Sequence, residues 1–141
     1  MDKQIVDQKL ESLRRCVERI QEKQPVTAKE LATDFDKQDI VSLNLSRAIQ
    51  LTVDIGLHII SGLSSPVPDT MGQTFDVLAD KHVISNELAV KLKKSVGFRN
   101  IAVHNYDSIN WDIVHSIVDL HLKDFSEYAK AIVAWHDNNK A

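Results

Sequence analysis

From Lys3 to about Lys23 the apolar residues Ile5, Val6, Leu10, Leu13, Cys16, Val17 and Ile20 recur at spacings dominated by three and four. That is the period of one face of an α-helix, with Lys9, Arg14, Arg15, Arg19 and Lys23 on or beside the wet face. Pro25 ends the pattern, because it removes a backbone donor and crowds the preceding turn. Thr27-Ala28-Lys29-Glu30 has capping-box spacing and predicts a short helical turn through Leu31 and Ala32.

A long helix follows, from about Asp36 to Leu63, with Ile40, Leu43, Ala48, Leu51, Ile55 and Ile59 on one stripe. Ile49, Val53 and Ile60 widen its apolar surface beyond that stripe. A helix greasy on more than one side is either central or faces both its own bundle and a partner chain. Ser61-Gly62-Leu63-Ser64-Ser65-Pro66-Val67-Pro68 is the clearest loop.

Thr70-Met71-Gly72-Gln73 again has capping-box spacing and opens a helix through Phe75, Val77, Leu78 and Ala79, ending near Lys81-His82. Ser85 is the expected N-cap of the next helix, with Glu87 in its first turn and Leu88, Leu92 and Val96 in register. Asp107-Ser108-Ile109-Asn110 reads as a turn with Asn110 capping the last helix, which continues through Ile113, Ile117, Leu120, Phe125, Tyr128 and Val133 to about His136. No segment alternates with the period of a strand, and no repeat or low-complexity run is present. The expected fold is an all-α antiparallel bundle of four to five helices, forming one domain over residues 1–141.

Composition narrows this picture. Four glycines and three prolines in 141 residues leave few places to turn, which suits a few long helices. The length allows a sizeable core in one domain. A formal charge of −3 gives no global basic signal, so any nucleic-acid site has to be local. The single cysteine, Cys16, excludes an intrachain disulfide and points to a reducing cytoplasm. The N-terminal segment lacks the basic and apolar regions of a signal peptide, and the most apolar stretch, Ala48 to Leu63, is interrupted by Gln50, Asp54, His58 and Ser61. No membrane span is expected.

The chemistry concentrates in Gly97-Phe98-Arg99-Asn100-Ile101-Ala102-Val103-His104-Asn105-Tyr106-Asp107. A histidine can move a proton near neutral pH, and an arginine offers a fixed fork of donors to phosphoryl oxygens. Together they can cleave RNA without a metal ion, one group handling protons and the other the charge of the phosphorane. The same pair is also what a surface ion-pair former and a helix C-cap look like. One chain supplies one of each, so a symmetric dimer would bring two histidines to a shared cleft as base and acid. Spacing adds a constraint: residues five apart on a regular helix diverge by about 140°. The helix is therefore expected to end or bend near Val103-His104, or Arg99 to reach round. Asn105 could end it in the left-handed conformation, and His104 and Tyr106 would then point the same way along an extended exit.

Asp54 and His58 sit one turn apart on the long helix. Buried charges are usually paired, so Asp54 is expected to hold an arginine, Arg99 or Arg47, with a structural pairing elsewhere as the default. No third and fourth ligands accompany this pair, so neither a metal nor another cofactor is expected. Lys91, Lys93 and Lys94 either form a solvated face or supply local charge for phosphate. Trp111 and Trp135 read as packing anchors, Cys16 as inert core, and His115, His121 and His136 as surface or interface residues.

Arg99-Asn100-x3-His104 resembles the R-polar-x3-H motif of HEPN-domain ribonucleases. The longer form Arg99-x4-His104-x-Tyr106, within the block LKKSVGFRNIAVHNY, resembles that of HepT toxins, which are paired with a minimal nucleotidyltransferase antitoxin, MntA, in bacterial toxin–antitoxin modules. The resemblance covers the helix order and essentially the whole chain. It implies an all-helical homodimer whose two motifs face each other, forming a metal-independent endoribonuclease. By the same resemblance Arg99 and His104 are the catalytic pair, Asn100 is the supporting polar residue, and Tyr106 is the site to which the antitoxin transfers AMP. The alternative is a non-catalytic helical adaptor that binds a nucleotidyltransferase or a nucleotide.

Overall fold

A computed structural model describes residues 2–23 and 27–139. Among the described residues six α-helices form: α1 (Lys3–Glu22), α2 (Ala28–Thr33), α3 (Phe35–Ser61), α4 (Met71–Asp80), α5 (Asn86–His104) and α6 (Trp111–Asn138). A short 3-10 turn, Tyr106–Ser108, joins the last two. The all-α class is as expected. The count reaches six because the segment after Thr27 closes a six-residue helix rather than a single turn. Pro25, expected to stop α1, lies outside the described residues.

The caps follow local chemistry. Thr27 Oγ1 accepts from the Glu30 amide at 3.1 Å, Thr70 Oγ1 from Gln73 at 3.2 Å, and Ser85 Oγ from Leu88 at 3.1 Å. Each hydroxyl satisfies a donor that the helix itself leaves unpaired. Asp2 caps α1 through its carboxylate, and its own backbone N–H donates to Nε2 of His58 at 3.0 Å, so His58 serves as an acceptor at the start of the chain.

α3 is the central element, packed against α1, α4, α5 and α6. Its Leu45, Ala48, Ile49, Ile55 and Ile59 are fully buried. Leu43, expected on the buried stripe, is half exposed instead, because the core side of α3 runs through Val41 and Leu45. α6 shows a similar one-residue displacement. Its core face is Val114, Val118, Leu122, Phe125, Tyr128 and Ile132, whereas Ile113, Leu120 and Val133 of the expected stripe point outward. Two apolar stripes run along α6, and the sequence pattern alone does not say which one a neighbour covers.

Gly56 allows α4 to approach α3 closely. A Cβ there would lie 2.7 Å from Thr74 Cγ2, 2.9 Å from Leu78 Cδ1 and 3.3 Å from the Tyr128 hydroxyl. The missing side chain lets α4 settle onto α3. Beside it the buried Tyr128 donates to the Thr52 carbonyl at 2.7 Å and meets Phe75 edge to face at 6.2 Å.

Candidate active site

α5 carries the motif on its C-terminal half. Leu88, Leu92, Val96 and Phe98 are buried and fix the helix against the bundle, which leaves Asn100, Ile101, Val103 and His104 exposed. The helix runs uninterrupted through Arg99 and ends at His104, where the spacing placed its end. The manner of ending differs from the expectation. Asn105 is not left-handed; it sits at φ −152°, ψ 60°, and its N–H closes the last turn onto the Ile101 carbonyl at 2.8 Å.

Because α5 stays helical through His104, Arg99 and His104 keep the divergence of about 140° that five helical residues impose. Among the described residues no hydrogen bond joins them. Arg99 instead turns to its neighbour, its Nη1 donating to Asn100 Oδ1 at 3.3 Å. His104 stands exposed in the last turn of α5.

The exit from α5 is not extended. Tyr106 opens the 3-10 turn, held by Ser108 N–H to the Asn105 carbonyl at 3.0 Å and Ile109 N–H to the Tyr106 carbonyl at 3.1 Å. The turn folds the ring against Trp111 at 5.9 Å, which makes Trp111 a packing anchor as expected. It also lays the phenol on α3. The Tyr106 hydroxyl donates to Asp39 Oδ1 at 2.7 Å and accepts from Ser42 Oγ at 3.4 Å. Partial burial raises the phenol pKa above its ordinary value, Ser42 opposes that rise, and the Asp39 carboxylate adds to it. Asp39 and Ser42 share a face of α3, but no sequence signal tied them to a tyrosine more than sixty positions later.

Asp54 is not joined to this constellation. It accepts from Gln50 Nε2 at 2.9 Å and lies 3.9 Å from Lys9 Nζ, half exposed. The expected pairing with Arg99 or Arg47 is replaced by the structural default, because α1 brings Lys9 over that turn of α3. The lysine run is largely committed as well: Lys93 pairs with Asp76 at 2.8 Å, and Lys91 lies 3.9 Å from the buried Asp124. Lys94 lines an α5–α6 groove with Ile113 and Ile117. Arg15 and Arg19, from the wet face of α1, line the α1–α3 groove together with Arg47 of α3. Cys16 is buried, and desolvation raises its thiol pKa. Among the described residues no group of three or more His, Cys, Asp or Glu is placed to hold a metal ion, and no helix is long and apolar enough to cross a membrane.

A family model described as "Ribonuclease HepT-like" matches residues 13–132. The chain belongs to the HepT-like family. The HepT-like match spans the site and nearly all of the bundle around it. The chain is 38% identical over 130 residues to an mRNA nuclease HepT of Shewanella oneidensis, covering 92% of this chain and 97% of the relative. It is 27% identical over 128 residues to a tRNA nuclease HepT of Aphanizomenon flos-aquae, covering 91% and 87% of the two chains. A solved structure of the tri-AMPylated Shewanella oneidensis HEPN toxin in complex with MNT antitoxin superposes with a TM-score of 0.87 at 37% identity, over 95% of this chain and 99% of that one. The HepT-like bundle described above is therefore shared nearly end to end with proteins named as nucleases.

Proposed function

We propose that this chain is the toxin of a toxin–antitoxin pair: a homodimeric, metal-independent endoribonuclease that a nucleotidyltransferase antitoxin silences by transferring AMP to Tyr106. The observation that carries this is the Arg99-x4-His104-x-Tyr106 motif at the end of α5, in a chain 38% identical to an mRNA nuclease HepT over nearly its full length. All six helices contribute to one core, in keeping with a single domain over residues 1–141. Its site of action is the cytoplasm, where its RNA substrate resides.

In this reading two copies bring two α5 ends to one cleft. One His104 takes the proton from a ribose 2′-OH as that oxygen bonds to phosphorus. The other protonates the departing 5′-oxygen as the P–O5′ bond breaks. Arg99 neutralises the charge on the phosphorane oxygens, and Asn100 steadies its guanidinium through the 3.3 Å hydrogen bond. The outward divergence of Arg99 and His104 within one chain supports a cleft completed by a second copy. So do the exposed apolar residues Leu43, Ile101, Val103 and Ile113, which sit on the segments that meet around Tyr106. Asp54, bonded to Gln50 and near Lys9, takes no part in this proposed machinery.

AMP on Tyr106 adds bulk and negative charge two residues from His104, blocking RNA by sterics and repulsion. The test is cleavage of a bulk RNA by the purified chain, with and without His104→Ala. RNA left intact by the unmodified wild-type chain, while the chain still accepts AMP, would replace the enzyme with an adaptor for the nucleotidyltransferase.

A further inference from the structure

The phenol proposed to receive AMP already holds a carboxylate at hydrogen-bond distance, within its own chain. Tyr106 Oη donates to Asp39 Oδ1 at 2.7 Å, and Ser42 Oγ lies 3.4 Å from both Tyr106 Oη and the Asp39 backbone carbonyl, with its one proton able to go to either. The 3-10 turn and the Trp111 contact fix the ring, and α3, the most enclosed helix of the bundle, fixes Asp39 and Ser42. A phenol is a poor nucleophile while protonated, so a transfer to it needs a base within reach of its proton.

We infer that Asp39 is the catalytic base for nucleotidyl transfer to Tyr106, supplied by the acceptor chain rather than by the transferring enzyme. The inference rests on the proposed role of Tyr106 as the AMP acceptor. As Tyr106 Oη forms its bond to the α-phosphorus of ATP, its proton passes to Asp39 Oδ1. The bond from that phosphorus to the bridging oxygen breaks, and pyrophosphate leaves with the electron pair. Ser42 donates to the phenolic oxygen while negative charge develops on it. Trp111 packs on the ring from α6 and carries no charge, so among the described residues Asp39 is the charged group hydrogen-bonded to this hydroxyl.

The experiment is a time course of intact mass for the full chain mixed with its nucleotidyltransferase antitoxin and ATP, comparing wild type, Asp39→Asn, Asp39→Glu and Tyr106→Phe. The wild-type chain should gain mass in steps of about 329 Da, and Tyr106→Phe should gain none. Asp39→Asn should be slowed by roughly a hundredfold, with Asp39→Glu recovering part of the rate. The asparagine variant should also accelerate as pH rises toward the range where the phenol ionises unaided, while the wild-type rate changes little there. Equal rates for wild type and Asp39→Asn, with both melting alike, would overturn the role of Asp39 and leave Tyr106 as the acceptor. A faster Asp39→Asn would overturn it too, making Asp39 a restraint. Full AMP incorporation into Tyr106→Phe, or none into wild type, would overturn the acceptor assignment itself and the inference with it.

Discussion

Arg99 and His104 are carried by the same unbroken helix, five residues apart, and within one chain their side chains diverge instead of meeting. In the proposed dimer, a cleft that needs two histidines and two arginines would behave as a unit. In a purified heterodimer of wild type and His104→Ala, RNA cleavage should fall well below half that of the wild-type dimer. Retention of half the activity would mean that each chain works alone.

In homodimers, Arg99→Ala and His104→Ala should each abolish RNA cleavage and growth inhibition without dissociating the dimer, as read by gel-based cleavage, plating and light scattering. Both side chains are at least partly exposed, so their loss should cost the fold little. Full toxicity in either variant would refute the catalytic assignment.

Cleavage should persist in excess chelator, since the proposed proton transfers and charge neutralisation are done by imidazole and guanidinium. A loss of activity in EDTA that returns with added divalent cation would refute that chemistry.

Gly56→Ala should lower stability. Alanine gains roughly 1 kcal/mol of helix propensity over glycine. Against this, its Cβ would come within 2.7 and 2.9 Å of Thr74 and Leu78, both fully buried and without room to withdraw. Overpacking of this kind costs about 1–3 kcal/mol. The packing cost should win, and the thermal midpoint should drop by a few degrees.

Tyr128 offers a test by pH. Complete burial pushes its phenol pKa far above the ordinary value near 10, so the folded chain keeps a proton that the unfolded chain releases. Stability from this group is present below pH 10 and falls as pH rises above it, by up to about 1.4 kcal/mol per pH unit. Denaturant titrations should show a shallower alkaline loss in Tyr128→Phe. At neutral pH the same variant should be weaker by about 1 kcal/mol, from the lost bond to the Thr52 carbonyl.

Helices and caps were readable because their causes are local. Thr27, Thr70, Ser85 and Asn110 each cap the helix that follows. The register of α6 was not readable, because Ile113, Ile117 and Leu120 form as good a stripe as Val114, Val118 and Leu122 until a neighbour selects one. The end of α5 at His104 followed from spacing and composition, but the compact turn behind it did not. That turn is set by what Tyr106 finds on α3. Asp54 went astray for the same kind of reason: its partner Lys9 comes from a helix more than forty residues earlier.

The bond between Tyr106 and Asp39 has one more consequence. An esterified phenol has no proton to donate, and its phosphodiester would face a carboxylate of like charge. The proposed transfer would therefore remove this hydrogen bond, and with it one of the contacts that hold the turn at residues 106–108 to α3. Backbone amides of Ser108 and Ile109, hydrogen-bonded within the turn, should exchange faster after the proposed modification, as hydrogen-exchange measurements would read. The silenced and active forms would differ in the shape of this turn as well as in mass.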